Sequence, residues 1–174
     1  MVFIDETGIH LAMARNYGRA KSEQRIFEAK RNRPKQSEKY TWISALSSEK
    51  IFAHFEINGS MTGESFLCYV EEILIPELAP EQVVIMDNLA CHKMEVIRQS
   101  FENAGQKYLF LPPYSPDFSP IEECWSKFKA ILKKIAARTV KSMQEATEFA
   151  LQSISTQDIE GWFRHFQSNI QTLC

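Results

Sequence analysis

Three acidic residues stand where a folded chain can bring carboxylates together. Asp5 follows the apolar run Val2-Phe3-Ile4, Asp87 follows the unbroken run Val83-Val84-Ile85-Met86, and Glu122 opens a strongly periodic stretch behind a proline-rich segment. An unbroken apolar run fits a central strand covered on both faces, and ligands of α/β sheets gather beyond the carboxyl ends of their strands. Two aspartates at strand ends and one glutamate at a helix start can therefore converge on one patch. Converging carboxylates repel, and without a cation one of them takes up a proton. A pair of Mg²⁺ or Mn²⁺ ions about 3.5–4 Å apart would remove that repulsion. The same ions could activate a water or a 3′-hydroxyl and steady both oxygens of an in-line displacement at phosphorus. Carboxylates are the donors such hard cations prefer.

Each acid also has a plainer reading. Asp5-Glu6 before Thr7-Gly8 can be a turn signal, and Asp87-Asn88 an Asx turn leading into a helix. Ser119-Pro120-Ile121-Glu122 has the form of a capping box, with Ser119 as N-cap, Pro120 at the first helical position and Glu122 at the third. Helix geometry separates Glu122 from its neighbour. At about 100° per residue, Glu123 falls nearly opposite the apolar stripe, four residues before Lys127, as an exposed pair. Glu122 lies at the flank of the stripe with Ser126 four residues on, which makes it the better metal ligand.

The elements that must hold these acids follow from periodicity. Tyr40–Leu46 and Ile51–Ile57 flank Ser47-Ser48-Glu49-Lys50 and read as a hairpin. Phe66, Val70, Ile73 and Leu74 mark one face of a helix ending before Pro76. A helix over about 93–104 turns Ile97, Phe101 and Ala104 inward, and Tyr108–Leu111 reads as a short strand. Pro112-Pro113-Tyr114-Ser115-Pro116 is a stiff loop. Ile121, Cys124, Trp125, Phe128, Ile131, Leu132 and Ile135 then follow the 3.6-residue period closely. Their place on that stripe makes Trp125 and Phe128 core residues rather than base-stacking groups. Two more helices are expected near 140–154 and 157–168. This succession describes an α/β domain with a five-stranded mixed sheet and helices on both faces.

Bulk properties narrow the class. The chain has 174 residues, enough for one compact domain with a substantial core. No apolar run approaches the ~20 residues of a membrane span, and Met1–Glu6 lacks the basic and long apolar regions of a signal peptide, so the default location is intracellular. Cys68, Cys91, Cys124 and Cys174 are scattered without a CxxC pair, which argues for reduced cysteines and against a zinc framework. Net charge is −2, but its distribution is uneven. Residues 15–39 carry nine Lys/Arg against three Glu and read as a long loop or ribbon, while residues 124–143 carry six Lys/Arg and no acid. Such stretches are either solvated faces or surfaces that meet a polyanion backbone.

Taken together the motifs become specific. Residues 83–93, Val-Val-Ile-Met-Asp-Asn-Leu-Ala-Cys-His-Lys, resemble the second-aspartate motif of IS630/Tc1/mariner superfamily transposases. Residues 110–129, Phe-Leu-Pro-Pro-Tyr-Ser-Pro-Asp-Phe-Ser-Pro-Ile-Glu-Glu-Cys-Trp-Ser-Lys-Phe-Lys, are similar to that family's third-acid motif, and Phe3–Gly8 resembles its first-aspartate strand. Thirty-four residues separate Asp87 from Glu122, the spacing of the superfamily. Ala137-Arg138-Thr139 and Gly161–His165 resemble the bacterial IS630 branch.

The resemblance implies a ribonuclease H-like fold and cut-and-paste DNA transposition. Strands are hydrolysed at the element ends, and 3′-hydroxyls then attack target DNA at TA dinucleotides. It maps Asp5, Asp87 and Glu122 onto the catalytic, metal-holding triad. It also makes Asn88, His92, Lys93, Ser115 and Lys127 candidates to support the metal site or touch DNA, with a capping or core histidine the alternative for His92. The implied partners are DNA, further copies of the chain on that DNA, and a separately encoded DNA-binding subunit. The implied setting is the nucleoid of a prokaryotic cytoplasm.

Ser119 stands where many relatives carry Asn, a neutral exchange at an N-cap. Relatives also carry N-terminal helix-turn-helix domains, whereas four residues precede Asp5 here. The expectation is a single catalytic domain over 1–174 without that region, from a fragment, a split gene or a decayed copy. The rival readings are a truncated regulator that occupies DNA or oligomerises, and a stand-alone ribonuclease H-like nuclease.

Overall fold

The computed structural model describes residues 1–11, 13, 39–113, 115 and 118–171. The basic stretch read as a ribbon lies outside them apart from Lys39, as do Tyr114, Pro116 and Asp117 of the proline-rich loop. The described chain runs β1 (Val2–His10), β2 (Lys39–Ser47), β3 (Ile51–Asn58), α1 (Gly63–Cys68), a π-helical stretch (Tyr69–Leu74), α2 (Ile75–Glu77), β4 (Val83–Met86), α3 (Glu95–Asn103), β5 (Lys107–Phe110), α4 (Pro120–Ile135), α5 (Val140–Gln152) and α6 (Thr156–Gln171).

The five strands form one sheet in the order β3-β2-β1-β4-β5. Antiparallel pairing joins β1 to β2 and β2 to β3, and parallel pairing joins β1 to β4 and β4 to β5. Alternation along the central strand divides the core in two. Phe3 and Ile9 face a layer built on Trp125, Phe128, Phe163 and Phe166 of α4 and α6. Val2 and Ile4 face a layer built on Phe66, Tyr69, Leu74, Ile97 and Phe101. Helices therefore cover both faces, and the expected mixed α/β sheet is the observed one.

Four local departures have physical causes. The first strand does not stop at Asp5-Glu6, because β2 pairs with it residue by residue from Val2↔Ser47 to His10↔Lys39. The helix after Gly63 does not end before Pro76, since a π-helical stretch intervenes and Pro76 sits in the first turn of α2, where a missing N–H is tolerated. Residues 91–93 form a turn, so α3 begins at Glu95 behind the extended Met94, and Ala104 caps its far end in solvent. Ser119 is the N-cap of α4, but its side chain makes no capping bond. Glu122 is bound to Ser119 only through its backbone N–H, 3.1 Å from the carbonyl, so no capping box occupies its carboxylate.

Candidate active site

Register brings two of the acids level. In the β1–β4 pairing Val2 faces Val84 and Phe3 faces Ile85, and the same offset carries Asp87 beside Asp5. By alternation Asp5 shares the face of Phe3 and Ile9, which is the face α4 packs on. The start of α4 supplies Glu122. The three carboxylates line one cleft of about 630 Å³, together with Asn88, Leu89, Lys93, Leu111, Pro112, Pro113, Ser115 and Ser119.

Crowding of like charges is visible in the acids themselves. Burial, then Glu122 and Glu6, and finally Asp87 push the Asp5 carboxyl up from 3.8 to about 8, against a lowering backbone hydrogen bond. Carboxylates held close raise one another's pKa, and a cation bound among them would relieve that repulsion. This donor set, all hard oxygens around one cleft, fits a divalent cation such as Mg²⁺ or Mn²⁺.

Asp87 has a different environment. Burial works against its charge, but His92, the Leu89 N–H and Lys93 outweigh it and hold its carboxyl below the usual range. Its Oδ1 accepts a 3.0 Å hydrogen bond from Leu89 N–H and lies 2.8 Å from His92 Nδ1, an ion-pair contact rather than an aligned hydrogen bond. The other ring nitrogen of His92, Nε2, is 2.8 Å from Glu6 Oε1. Burial alone would drive this imidazole neutral; the Asp87 and Glu6 carboxylates reverse that and raise it to about 9.

The remaining residues singled out from sequence divide. Asn88 donates its side-chain amide to the Leu111 carbonyl, tying the turn after β4 to the chain leaving β5. Lys93 lines the cleft with its ammonium 5.8 Å from the centre of the Phe110 ring. Ser115 lines it too, its hydroxyl donating to the Pro113 carbonyl at 3.3 Å. Lys127 is not among the cleft residues and pairs with Asp158 of α6. Glu123 pairs with His165 of α6 rather than with Lys127, so the expected pair within α4 is replaced by two ties between helices. Trp125 and Phe128 are core, at 1% and 0% exposure.

Glu6 is the site residue that sequence reasoning passed over. It alternates with Asp5 and so faces the other layer, where it meets His92, whose ring packs against Phe66. Read as the end of a strand, Asp5-Glu6 gave no sign of this. Had the strand been continued to Ile9, alternation would have placed an acid inside the core. Cys91, a free thiol, lies near the pair, with donor atoms of Glu6, Cys91 and His92 all within 4.8 Å of one another.

A mixed sheet in this order, with carboxylates meeting where the parallel pairing of its central strands ends, defines a ribonuclease H-like domain with an acidic centre. A family model described as DDE superfamily endonuclease matches residues 1–144. The chain belongs to that family. Among solved structures, the Mos1 strand transfer complex aligns with a TM-score of 0.75 at 12% identity, covering 97% of this chain and 51% of that one. The Mos1 paired-end complex with the left transposon end gives 0.76 at 12%, covering 96% and 54%. The catalytic domain of Mos1 mariner transposase gives 0.68 at 13%, covering 95% and 76%. This chain thus shares the fold of the Mos1 catalytic domain and spans about half the length of the Mos1 chains in the DNA complexes. No curated protein matches in sequence. Among the described residues no helix is long and apolar enough to cross a membrane.

Proposed function

We propose that this chain is the catalytic domain of a DNA transposase, cutting phosphodiesters at transposon ends and joining the freed 3′-hydroxyl ends to target DNA at TA sites. The observation that carries the reading is the convergence of Asp5, Asp87 and Glu122 on one cleft of a DDE-family domain. In this reading the three carboxylates hold two Mg²⁺ or Mn²⁺ ions, which supply charge neutralisation at phosphorus and a more acidic water or hydroxyl. Structures of the Mos1 catalytic domain are described with Mg and with Mn.

The chain's own residues then have separable tasks. Asp5, desolvated among carboxylates, would be held ionised by a cation bound there. Asp87 arrives already ionised, held so by His92 and Leu89. Glu122 reaches in from the first turn of α4 with its carboxylate free of capping. Lys93 and Ser115 stand on the cleft wall where a phosphate backbone would run, Lys93 as a charge and Ser115 as a hydroxyl that would exchange its long bond to the Pro113 carbonyl for a phosphate oxygen. Lys127, committed to Asp158, is left out of that contact. We further propose that residues 1–174 act as one catalytic unit. The unit works in pairs or larger assemblies on DNA within a prokaryotic cytoplasm. The assemblies on DNA are supported by the structurally similar Mos1 proteins, whose structures are described as paired-end and strand transfer complexes.

The test is strand transfer of a pre-nicked element end into a TA-containing duplex with Mg²⁺ or Mn²⁺. Asp87→Ala and Glu122→Gln are each expected to lower turnover by about a hundred- to a thousandfold, as removal of a principal electrostatic group does. DNA binding measured alongside should change little. Full turnover in Asp87→Ala, or none in the parent protein on any nicked end, would sink the assignment.

A further inference from the structure

We propose that Glu6 and His92 form a buried strut that positions Asp87 for its cation, a role that rests on reading Asp5, Asp87 and Glu122 as the cation-holding acids. Asp87 lies just past the end of β4 with its side chain 44% exposed, so neither a strand nor core packing fixes its carboxylate. What does engage it falls on one oxygen. Oδ1 takes both the Leu89 N–H and the His92 Nδ1 contact, and among the described residues Oδ2 accepts no hydrogen bond. That division leaves Oδ2 as the oxygen free to face the cleft.

The imidazole can serve as a strut because it is itself immobilised. His92 is 1% exposed, and its ring centre lies 4.1 Å from that of Phe66 at 33°, so packing fixes its plane. Its far nitrogen meets Glu6 Oε1 at 2.8 Å, and the Glu6 side chain is only 9% exposed. Glu6 in turn is anchored by backbone pairing, opposite Ile43 in the β1–β2 ladder. The strut therefore ends on the strand that also carries Asp5. Adjacent residues of β1 brace one cation site from both faces of the sheet, Asp5 directly and Glu6 through His92. Carboxylates that ligate a metal are themselves held by neighbouring side chains, and loss of such a partner costs about 10–100-fold in affinity or activity. A burial-only role for this pair would need neither the Asp87 contact nor its restriction to Oδ1.

The experiment measures Mn²⁺ binding by titration calorimetry on the full chain, with melting temperature and cleavage kinetics alongside, in Glu6→Ala, Glu6→Gln and His92→Asn. Glu6→Ala and His92→Asn are expected to weaken Mn²⁺ binding by about 10–100-fold, with KM for DNA unchanged. Glu6→Gln, whose amide oxygen can still accept from Nε2–H, should recover most of the loss. If Glu6→Ala does not fold, His92→Asn carries the test. A folded His92→Asn or Glu6→Ala that binds Mn²⁺ as tightly as the parent overturns the strut, whatever its melting temperature. Asp87→Ala separates the two levels: Mn²⁺ affinity unchanged there overturns the acid-site reading itself, and affinity lost there but intact in the strut variants overturns the strut alone.

Discussion

Asp5 shows what the site costs the fold. Its carboxyl keeps a proton up to about 8 in the folded chain against 3.8 ordinarily. A raised pKa means the folded state binds the proton more tightly, so the associated stability is complete below the ordinary value and is lost as pH rises through about 8. His92, raised from 6.5 to about 9, acts in the same direction over a higher window. Asp87, lowered, acts on the opposite flank, losing stability only as pH falls below the ordinary carboxylate range. Chelated protein should therefore melt at progressively lower temperature between about pH 5 and pH 9. Millimolar Mn²⁺ should flatten that slope, because a cation replaces the proton as countercharge. Thermal scans across pH with and without chelator check this, and equal slopes would contradict it. Asp5→Asn should raise the melting temperature of chelated protein at pH 8 while abolishing cleavage, since it removes the charge that both functions share. Asp87 and Glu122 were legible because their signals are local, an apolar strand and an amphipathic helix start. The partnership of Glu6 with His92 spans 86 positions and leaves no local trace.

Among the elements, α4 is the one whose ends matter most. Ala136 closes it in the left-handed region, at φ 52°, where glycine is the usual residue. Ala136→Gly should stabilise the chain by roughly 1 kcal/mol, which for this size moves the melting temperature by about 2–4 °C. Ala53, at φ 51° beside the bulge between β2 and β3, invites the same change with a smaller gain, because its methyl is 3% exposed and its burial would be lost. Parallel melts of the two variants distinguish these outcomes. Most elements could be placed from the sequence, since hydrophobic period and turn residues agree along β2, β3, β4 and α4. Where placement failed, a neighbour was responsible. Pairing with β2 carries β1 past a polar dipeptide, and the π-helical stretch carries a helix through Pro76.

Across the whole molecule, α6 works as a clamp. Phe163 and Phe166 meet Phe3 edge-on, with ring centres 5.8 and 5.0 Å away, directly behind the strand that carries Asp5. Two side-chain pairs, Lys127–Asp158 and Glu123–His165, fasten the same helix to α4. These pairs are partly exposed, and such pairs contribute about 0–1 kcal/mol each, so the aromatic contact dominates. Phe166→Ala should cost roughly 3–5 kcal/mol, read from denaturant unfolding, against under about 1 kcal/mol for Asp158→Ala. The family match ends at residue 144, yet the core behind the acids is closed by a helix that starts at Thr156. The sequence announced α6 as a helix but not as a lid on Phe3, because amphipathicity gives a face without its partner. Finally, Asp5 and Glu6 owe their separate duties to nothing but parity along one strand. Substitution at other β1 positions leaves that parity intact, whereas loss or gain of a single residue between Ile4 and the β2 pairing frame would exchange the two acids between layers. The lineage of this domain should thus tolerate many exchanges in β1 but no length change there, a constraint that a deletion scan of β1 would expose as uniform inactivity.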